Sequence, residues 1–372
     1  MKINNYILLN ILIIILSLSI CSCSDKKDND PDQIDTFDRS EMLTFWADHI
    51  IIPAFENYDT SIQELVQAKD GFIQESNLQT LAVVREKWLK AYRDWQSVSM
   101  FDIGKAEEIG LRNFVNIYPC NIEEIEEFVS SGNYNLTLPS TFDAQGFPAL
   151  DYLLFGIEED DDQLFAALSQ QDYRSYLSDL INRLSLLSKE VLTDWTESYR
   201  ITFIQNDGAS ATASTDKMVN DFLFYYEKFF RAGKIGIPAG VFTGNPISSA
   251  VEAPYSGIYS KSLYISAFEA VQKFFKGTSF DGSLNGPSLQ QYLEHVQEAN
   301  QLLDISNDII NQWNEVSDLS EALNENLRVQ VDFDNFEMLL VYDALQKAVV
   351  LLKVDMMQAF NIQIDYVDAD GD

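Results

Sequence analysis

Histidines suggest zinc-dependent hydrolysis first, because zinc peptidases bind their metal through histidine side chains. A zinc peptidase places two imidazoles one helical turn apart, with a glutamate between them that activates water. The chain has only two histidines, His49 and His295, which lie far apart and outside any such motif. His295 is interpreted as a surface or packing residue, and His49 as either a packing residue or a ligand. A bound metal would therefore depend mainly on oxygen ligands, which suit ferric iron, calcium or magnesium better than zinc.

Asp151 differs from most of the acidic residues because the sequence around it is apolar. It lies in an apolar stretch, residues 146–156, with a glycine at each end. Pro148 suits the first turn of a helix, where its missing N–H costs nothing, and Gly156 suits the end of that helix. The stretch predicts a short apolar helix that carries the Asp151 carboxylate into a partly buried position.

The same stretch resembles the signature of the imelysin family, which is Gly-x-His-x-x-Glu followed by an aromatic residue, leucines and a glycine. Gly146 and residues 153–156 match this signature, whereas Pro148 stands at the position of the histidine and Asp151 at that of the glutamate. Four further landmarks follow in the order of the family after about Asp38: residues 88–104, Tyr118 with Pro119, residues 251–256 and residues 366–372.

The resemblance implies an all-α fold of two packed helical bundles with a cleft between them. It also implies one of two functions, either a non-enzymatic binding protein for metal (iron) acquisition at the cell envelope or a metallopeptidase. Because Pro148 and Asp151 replace the histidine and the glutamate of the signature, the binding protein is favoured over the peptidase.

The resemblance further implies a metal site at two carboxylates. Asp151 and Glu252 lie in two long insertions, residues 133–155 and 232–259, which are expected to meet where the bundles join. We predict that the two side chains bind an oxygen-coordinated ion, either iron or calcium, or a small polar ligand. The rest of the expected ligand-binding set is Gly146, Tyr255, Ser256 and His49.

A structural role for the same two carboxylates is the alternative. In that case Asp151 would cap a helix, and Glu252 would pair with an arginine such as Arg112. Arg93, one turn after the aromatic pair Trp88 and Tyr92, would either pair with a carboxylate or stack on a ring, and stacking is favoured.

The N-terminal segment predicts a lipoprotein. Residues 6–20 are strongly apolar but shorter than the roughly 20 residues that a membrane-spanning helix needs, so residues 1–22 are predicted to be a signal peptide. A small residue precedes Cys23, as in a bacterial lipoprotein cleavage site, and polar residues 23–37 would tether the folded part. We expect a lipid anchor at Cys23, an outer-membrane location facing the periplasm or the surface, and a free thiol at Cys120.

The charge balance limits the partners. The chain has 25 Lys and Arg against 58 Asp and Glu, a net charge of −33. Such a surface repels nucleic acid and anionic lipid, so neither is expected as a partner. Most of these carboxylates are expected to be solvated rather than to form a site.

Apolar residues recur with helical spacing over most of the chain after Asp38. They predict two bundles, residues 38–207 and 208–372, with the boundary in a small, polar stretch near Gly208. Strand signals are few, and the one strand that the sequence suggests covers residues 361–367. The longer predicted helices cover residues 76–98, with Ser76 as the cap, and residues 172–199, 261–276, 288–316 and 332–360.

Overall fold

The computed structural model describes residues 36–366, and their architecture is all-α. Two-stranded pairing within this range is confined to one isolated antiparallel bridge, Thr278 with Asn285. Up to residue 205 the helices are α1 (Arg39–Phe45), α2 (Ile52–Gln74), α3 (Leu78–Gln96), α4 (Lys105–Ile109), α5 (Leu111–Val115), α6 (Ile122–Ser131), α7 (Gly146–Phe155), α8 (Asp161–Leu168), α9 (Gln171–Asp194) and α10 (Arg200–Gln205).

The remaining helices follow the polar stretch near Gly208. They are α11 (Ser214–Phe224), α12 (Ser260–Lys276), α13 (Leu289–Asn300), α14 (Ile305–Glu321), α15 (Leu327–Phe333), α16 (Asn335–Val350) and α17 (Met357–Phe360). Several helices continue through a π-helical segment, and these segments are Trp46–Ile51, Trp195–Tyr199, Tyr225–Gly236 and Leu351–Met356.

Long amphipathic helices form the core of both groups of helices, the first up to residue 205 and the second after Gly208. In the first, α2 packs along both α3 and α9. In the second, α16 packs along α14 and along the π-helical segment Tyr225–Gly236. Helix α3 also contacts α12, so the two groups of helices share one core. The five tryptophans are all buried in it: Trp46, Trp88, Trp95, Trp195 and Trp313. The all-α prediction is confirmed.

The predicted helix over residues 76–98 is confirmed as α3, but its cap differs. Asn77, not Ser76, accepts the backbone N–H of Thr80 at 2.9 Å, and the Thr80 hydroxyl accepts the N–H of Asn77 in return. The Ser76 hydroxyl donates instead to the Phe72 carbonyl, at the end of the preceding helix. The amide oxygen of Asn77 satisfies an N–H group that the first turn leaves open.

Two predicted helices are interrupted. Residues 288–316 form α13 and α14, because Gln301 adopts a left-handed conformation with φ 55° and Asp304 then caps a new helix. Residues 332–360 also contain a break, since α15 ends at Phe333 and α16 begins at Asn335. The predictions over residues 172–199 and 261–276 are confirmed by α9 with its π-helical continuation and by α12.

The predicted strand over residues 361–367 is wrong as far as the structure describes it. Asn361 has a left-handed conformation with φ 55° and ends α17, and residues 362–366 form no strand. Ile362, which lay within the predicted strand, is buried directly after the end of α17. The long insertion predicted to begin at residue 232 is also shorter, because the π-helical segment extends to Gly236.

The described residues from Asp38 onward belong to one compact unit. The division at residues 207 and 208 stays a prediction. Among the helices of residues 36–366, none is both long and apolar enough to cross a membrane. The predicted signal peptide and Cys23 lie outside the described residues.

Candidate functional site

Helix α7 is an apolar helix with a carboxylate in its middle, as its sequence predicts. Gly146 to Leu154 are all buried, Asp151 included. Side chains of the neighbouring α3 hold α7 in place by donating hydrogen bonds to its backbone carbonyl groups. The indole N–H of Trp88 donates to the Phe147 carbonyl at 3.4 Å, and Arg85 Nε donates to the Leu154 carbonyl at 2.8 Å.

Asp151 binds the loop of the second insertion. Its Oδ2 accepts the backbone N–H of Tyr255 at 2.9 Å, and its Oδ1 accepts the backbone N–H of Ser256 at 3.0 Å. The turn that presents these N–H groups begins at Ala253, whose left-handed φ of 55° is unfavourable for a residue with a Cβ. We infer that the two bonds to Asp151 help to hold this turn. The predicted helix cap is wrong, because Asp151 bonds across to a loop from the middle of a helix.

Glu252 lies three residues before Tyr255, in a buried polar cluster. Its Oε2 accepts a hydrogen bond from Lys234 Nζ at 2.5 Å. Its Oε1 accepts hydrogen bonds from Asn116 Nδ2 at 2.8 Å and from Gln96 Nε2 at 3.2 Å. Lys234 also donates to Gln96 Oε1 at 2.9 Å. The side chains of Glu252 and Lys234 are only 2% and 4% exposed. The cluster therefore consists of a buried ion pair closed by two amide side chains.

Tyr92 connects this cluster to α7. Its hydroxyl donates to Asn116 Oδ1 at 2.6 Å, and its ring stacks on Phe147 with centroids 4.4 Å apart. Burial, followed by the negative charge of Glu252, raises the pKa of Tyr92 well above its ordinary value. The hydroxyl therefore stays protonated and acts as a donor. Through Tyr92 the two predicted carboxylates belong to one connected region, in which Glu252 also contributes to the raised pKa of Asp151.

The alternative partner proposed for Glu252 is wrong. Arg112 pairs with Asp221, at 2.9 Å from NH2 to Oδ1, and its Nε donates to the Ser99 carbonyl at 2.8 Å. Arg93 does not stack on its aromatic neighbours, since its NH2 donates to Ser262 Oγ at 3.2 Å.

The other predicted site residues take different positions. Tyr255 is half-buried, and its ring lies 5.3 Å from that of Tyr152. Ser256 donates its hydroxyl to the Ala253 carbonyl at 3.3 Å. His49 is exposed, its ring lies 4.8 Å from that of Phe45, and it has no contact with Asp151 or Glu252. His49 is therefore interpreted as a packing residue.

Cys120 is a free cysteine of intermediate exposure, as predicted. Burial, with a contribution from the charge of Asp151, raises the pKa of its thiol to about 12. The thiolate form is thus scarce at neutral pH, and the side chain is unsuited to nucleophilic chemistry or metal ligation there.

The arrangement does not fit a bare cation. Glu252 accepts hydrogen bonds from the ammonium of Lys234 and from the amide N–H groups of Asn116 and Gln96, and both Asp151 oxygens accept backbone N–H groups. Within residues 36–366, no three His, Cys, Asp or Glu side chains are grouped so that they could hold a metal ion. The pairing of Asp151 and Glu252 as metal ligands stays a prediction, and these contacts favour a structural role for both.

Sequence reasoning missed Lys234, Gln96 and Asn116. Two of them carried a usable signal. Gln96 lies four residues after Tyr92, on the core face of α3, and Lys234 lies in the otherwise apolar run of residues 232–239. A polar side chain at a core-facing position needs a buried partner. No spacing rule connects these residues to Glu252, because four separate segments supply the cluster.

The pKa of Asp151 gives a testable pH dependence. Burial raises it from 3.8 to about 6, although the two backbone N–H groups oppose the rise. The folded state then binds a proton more tightly than the unfolded state, so stability is highest below about pH 4 and falls as the pH rises through 6. A shift of about two units corresponds to about 2–3 kcal/mol. We expect the Asp151 contribution to the free energy of unfolding to fall by that amount between pH 4 and 7.

Urea denaturation of the wild type and Asp151→Asn at pH 4 and pH 7 measures this contribution. Asp221, with a pKa also raised to about 6 by burial, titrates in both proteins and cancels in the comparison. The Asn variant is less stable overall, because its amide nitrogen must face one of the two N–H groups. Its stability should nevertheless depend less on pH, and an equal change in both proteins would contradict the prediction.

Comparison with known proteins agrees with the all-α architecture. The imelysin family model (Peptidase M75) matches residues 51–350. The chain therefore belongs to the imelysin family.

Two solved structures resemble the fold. One is a proposed iron-regulated protein A precursor from Parabacteroides distasonis, with a TM-score of 0.73, 17% identity, and coverage of 90% of this chain and 97% of that chain. The other is an imelysin-like protein from Psychrobacter arcticum, with a TM-score of 0.67, 16% identity, and coverage of 88% and 97%. No curated protein matches the chain.

Proposed function

We propose that this chain is an imelysin-like lipoprotein of the cell envelope that serves iron acquisition as a non-enzymatic binding protein. The proposal that the protein is not an enzyme is supported by two residues of α7, the helix that matches the family signature. Pro148 supplies no nitrogen ligand where the family signature has histidine, and the Asp151 carboxylate holds a loop through two backbone N–H groups. A general base must reach the proton that it removes, and Asp151 is already committed inside the core.

The iron-related part has a different support. The similar structure from Parabacteroides distasonis is described as a proposed iron-regulated protein A precursor, and that description applies to that protein. The anchor is supported by the sequence around Cys23. Since the donors around Glu252 disfavour a bare cation, the iron-related role would be exerted through a liganded form of iron or through a partner protein.

Iron uptake in the source organism tests the proposal. We expect a strain that lacks the gene to take up less radioactive iron under iron limitation, and the wild-type gene to restore uptake. A Cys23→Ala gene should leave the protein outside the membrane fraction and fail to restore uptake, because the anchor is lost. Cys120→Ala serves as the matched control and should behave as the wild type in both measurements.

Two results would contradict this function. One is iron uptake that does not depend on the gene. The other is cleavage of casein by the purified chain that a chelator abolishes and that Asp151→Asn lacks, which would indicate the metallopeptidase.

A further inference from the structure

A cavity of about 160 Å³ lies between α3 and α12, apart from the Asp151 and Glu252 contacts. Its polar lining comes mainly from α3 and α12: Arg93 and Asp94 from α3, with Ser97 directly after that helix, and Ser266, Glu269 and Lys273 from α12. Its apolar lining is mainly Ile50, Ala54, Met100, Phe101, Ala270 and Phe280. Phe280 is fixed by its backbone N–H, which donates to the His49 carbonyl at 2.8 Å.

Three exposed charged side chains of the lining, Arg93, Glu269 and Lys273, have no ion-pair partner among the described residues, whereas Asp94 pairs with Lys90. Within residues 36–366, the side chains of Lys273 and Glu269 form neither a hydrogen bond nor an ion pair, and the Arg93 side chain bonds only to the neutral Ser262 hydroxyl. Glu269 and Lys273 are spaced i, i+4 in the order that favours an ion pair on a helix, yet the pair does not form. In a chain with a net charge of −33, two cations of one cavity lining that form no ion pair with the acidic side chains beside them, Asp94 and Glu269, are also unexpected.

From this lining we infer that the cavity binds a small zwitterion with an apolar body, such as an amino acid with an aromatic side chain. The ligand carboxylate would bind Arg93 and Lys273, and its ammonium group would bind Glu269. The apolar body would lie against Met100, Phe101 and the other apolar lining residues. A cavity of about 150 Å³ accommodates a benzene-sized group, so the volume fits one aromatic ring. The inference does not depend on the proposed role in iron acquisition.

Calorimetric titration with three related probes tests the assignment. These are L-phenylalanine, 3-phenylpropionate, which lacks the ammonium group, and phenethylamine, which lacks the carboxylate. We expect the full chain to bind L-phenylalanine about tenfold more tightly than either analogue, because each missing group leaves a charge-assisted hydrogen bond unmade. Absence of L-phenylalanine binding at millimolar concentration would overturn the inference, as would equal affinities for all three probes.

Two substitutions separate the roles of the charges. Lys273→Met should weaken L-phenylalanine and phenylpropionate about tenfold and leave phenethylamine unchanged. Glu269→Gln should weaken L-phenylalanine and phenethylamine and leave phenylpropionate unchanged. Lys276→Met, on the same helix but outside the lining, is the matched control and should change none of the affinities. If Glu269→Gln leaves L-phenylalanine binding unchanged, the zwitterion assignment is wrong.

Discussion

Replacing Lys234 with methionine is expected to lower the free energy of unfolding by about 3–5 kcal/mol. The substitution keeps most of the length of the side chain but removes the one cation among residues 36–366 that bonds to Glu252, at 2.5 Å. Glu252 is 2% exposed, and its other partners, Gln96 and Asn116, are neutral amides. An uncompensated buried carboxylate is costly because water cannot solvate it. Urea denaturation at pH 7 measures the loss.

Two further variants identify the cause. Lys90→Met removes an ion-paired lysine that is 40% exposed, and should cost less than about 1 kcal/mol. The double variant Lys234→Met with Glu252→Gln removes both charges, so it should be more stable than Lys234→Met alone. If the double variant loses as much as the two single variants together, the charge pair is not what stabilises this region.

Burial also affects the pKa of the lysine in this ion pair. It lowers the pKa of Lys234, while the neighbouring Glu252 opposes that change. Each charge is therefore compensated mainly by the other, since loss of Glu252 would leave the burial of Lys234 unopposed and loss of Lys234 would leave a buried carboxylate without its cation. This mutual dependence explains why we expect a single substitution to cost more than the removal of both charges.

The long helices could be predicted because apolar side chains with helical spacing must face a core. Trp88, Tyr92 and Trp95 recur at three or four residues in α3, and all three are buried. The same reasoning failed at the break between α13 and α14. Gln301, which adopts a left-handed conformation there, carries no turn signal that would separate it from a helical residue. The capping residue Asp304 was an available indication, but buried apolar residues with helical spacing on both sides, such as Val296 and Ile309, are also consistent with one continuous helix.

The candidate site was predictable in part. The resemblance identified α7 and the loop with Glu252, and the structure brings Asp151 onto Tyr255 and Ser256 of that loop. The role of the contact was not predictable, because a carboxylate that binds a metal and one that accepts N–H groups have the same sequence. Only the identity of the surrounding atoms separates them, and Lys234 comes from a third segment that no motif marks.

Replacing Gly146 with alanine is expected to destabilise the fold by about 2–5 kcal/mol, the sum of two costs. Gly146 has a φ of +75°, which costs a residue with a Cβ about 1–2 kcal/mol. An added Cβ would also collide with the backbone of the neighbouring α5, at 2.6 Å from the Val115 carbonyl carbon and 2.9 Å from the Phe114 carbonyl oxygen. No rotamer change relieves a clash with backbone, and overpacking of this kind costs about 1–3 kcal/mol.

Two other glycines separate these costs. Gly132 has a φ of +62° with no atom within 4 Å of an added Cβ, so Gly132→Ala should show the conformational cost alone. Gly208 has neither feature, and Gly208→Ala should lie within about 0.5 kcal/mol of the wild type. Urea denaturation should therefore rank the losses as Gly146, then Gly132, then Gly208. A Gly146→Ala loss no larger than that of Gly132→Ala would show that α7 can move away from α5. In that case the first glycine of the signature would not be what fixes the position of Asp151 against its loop.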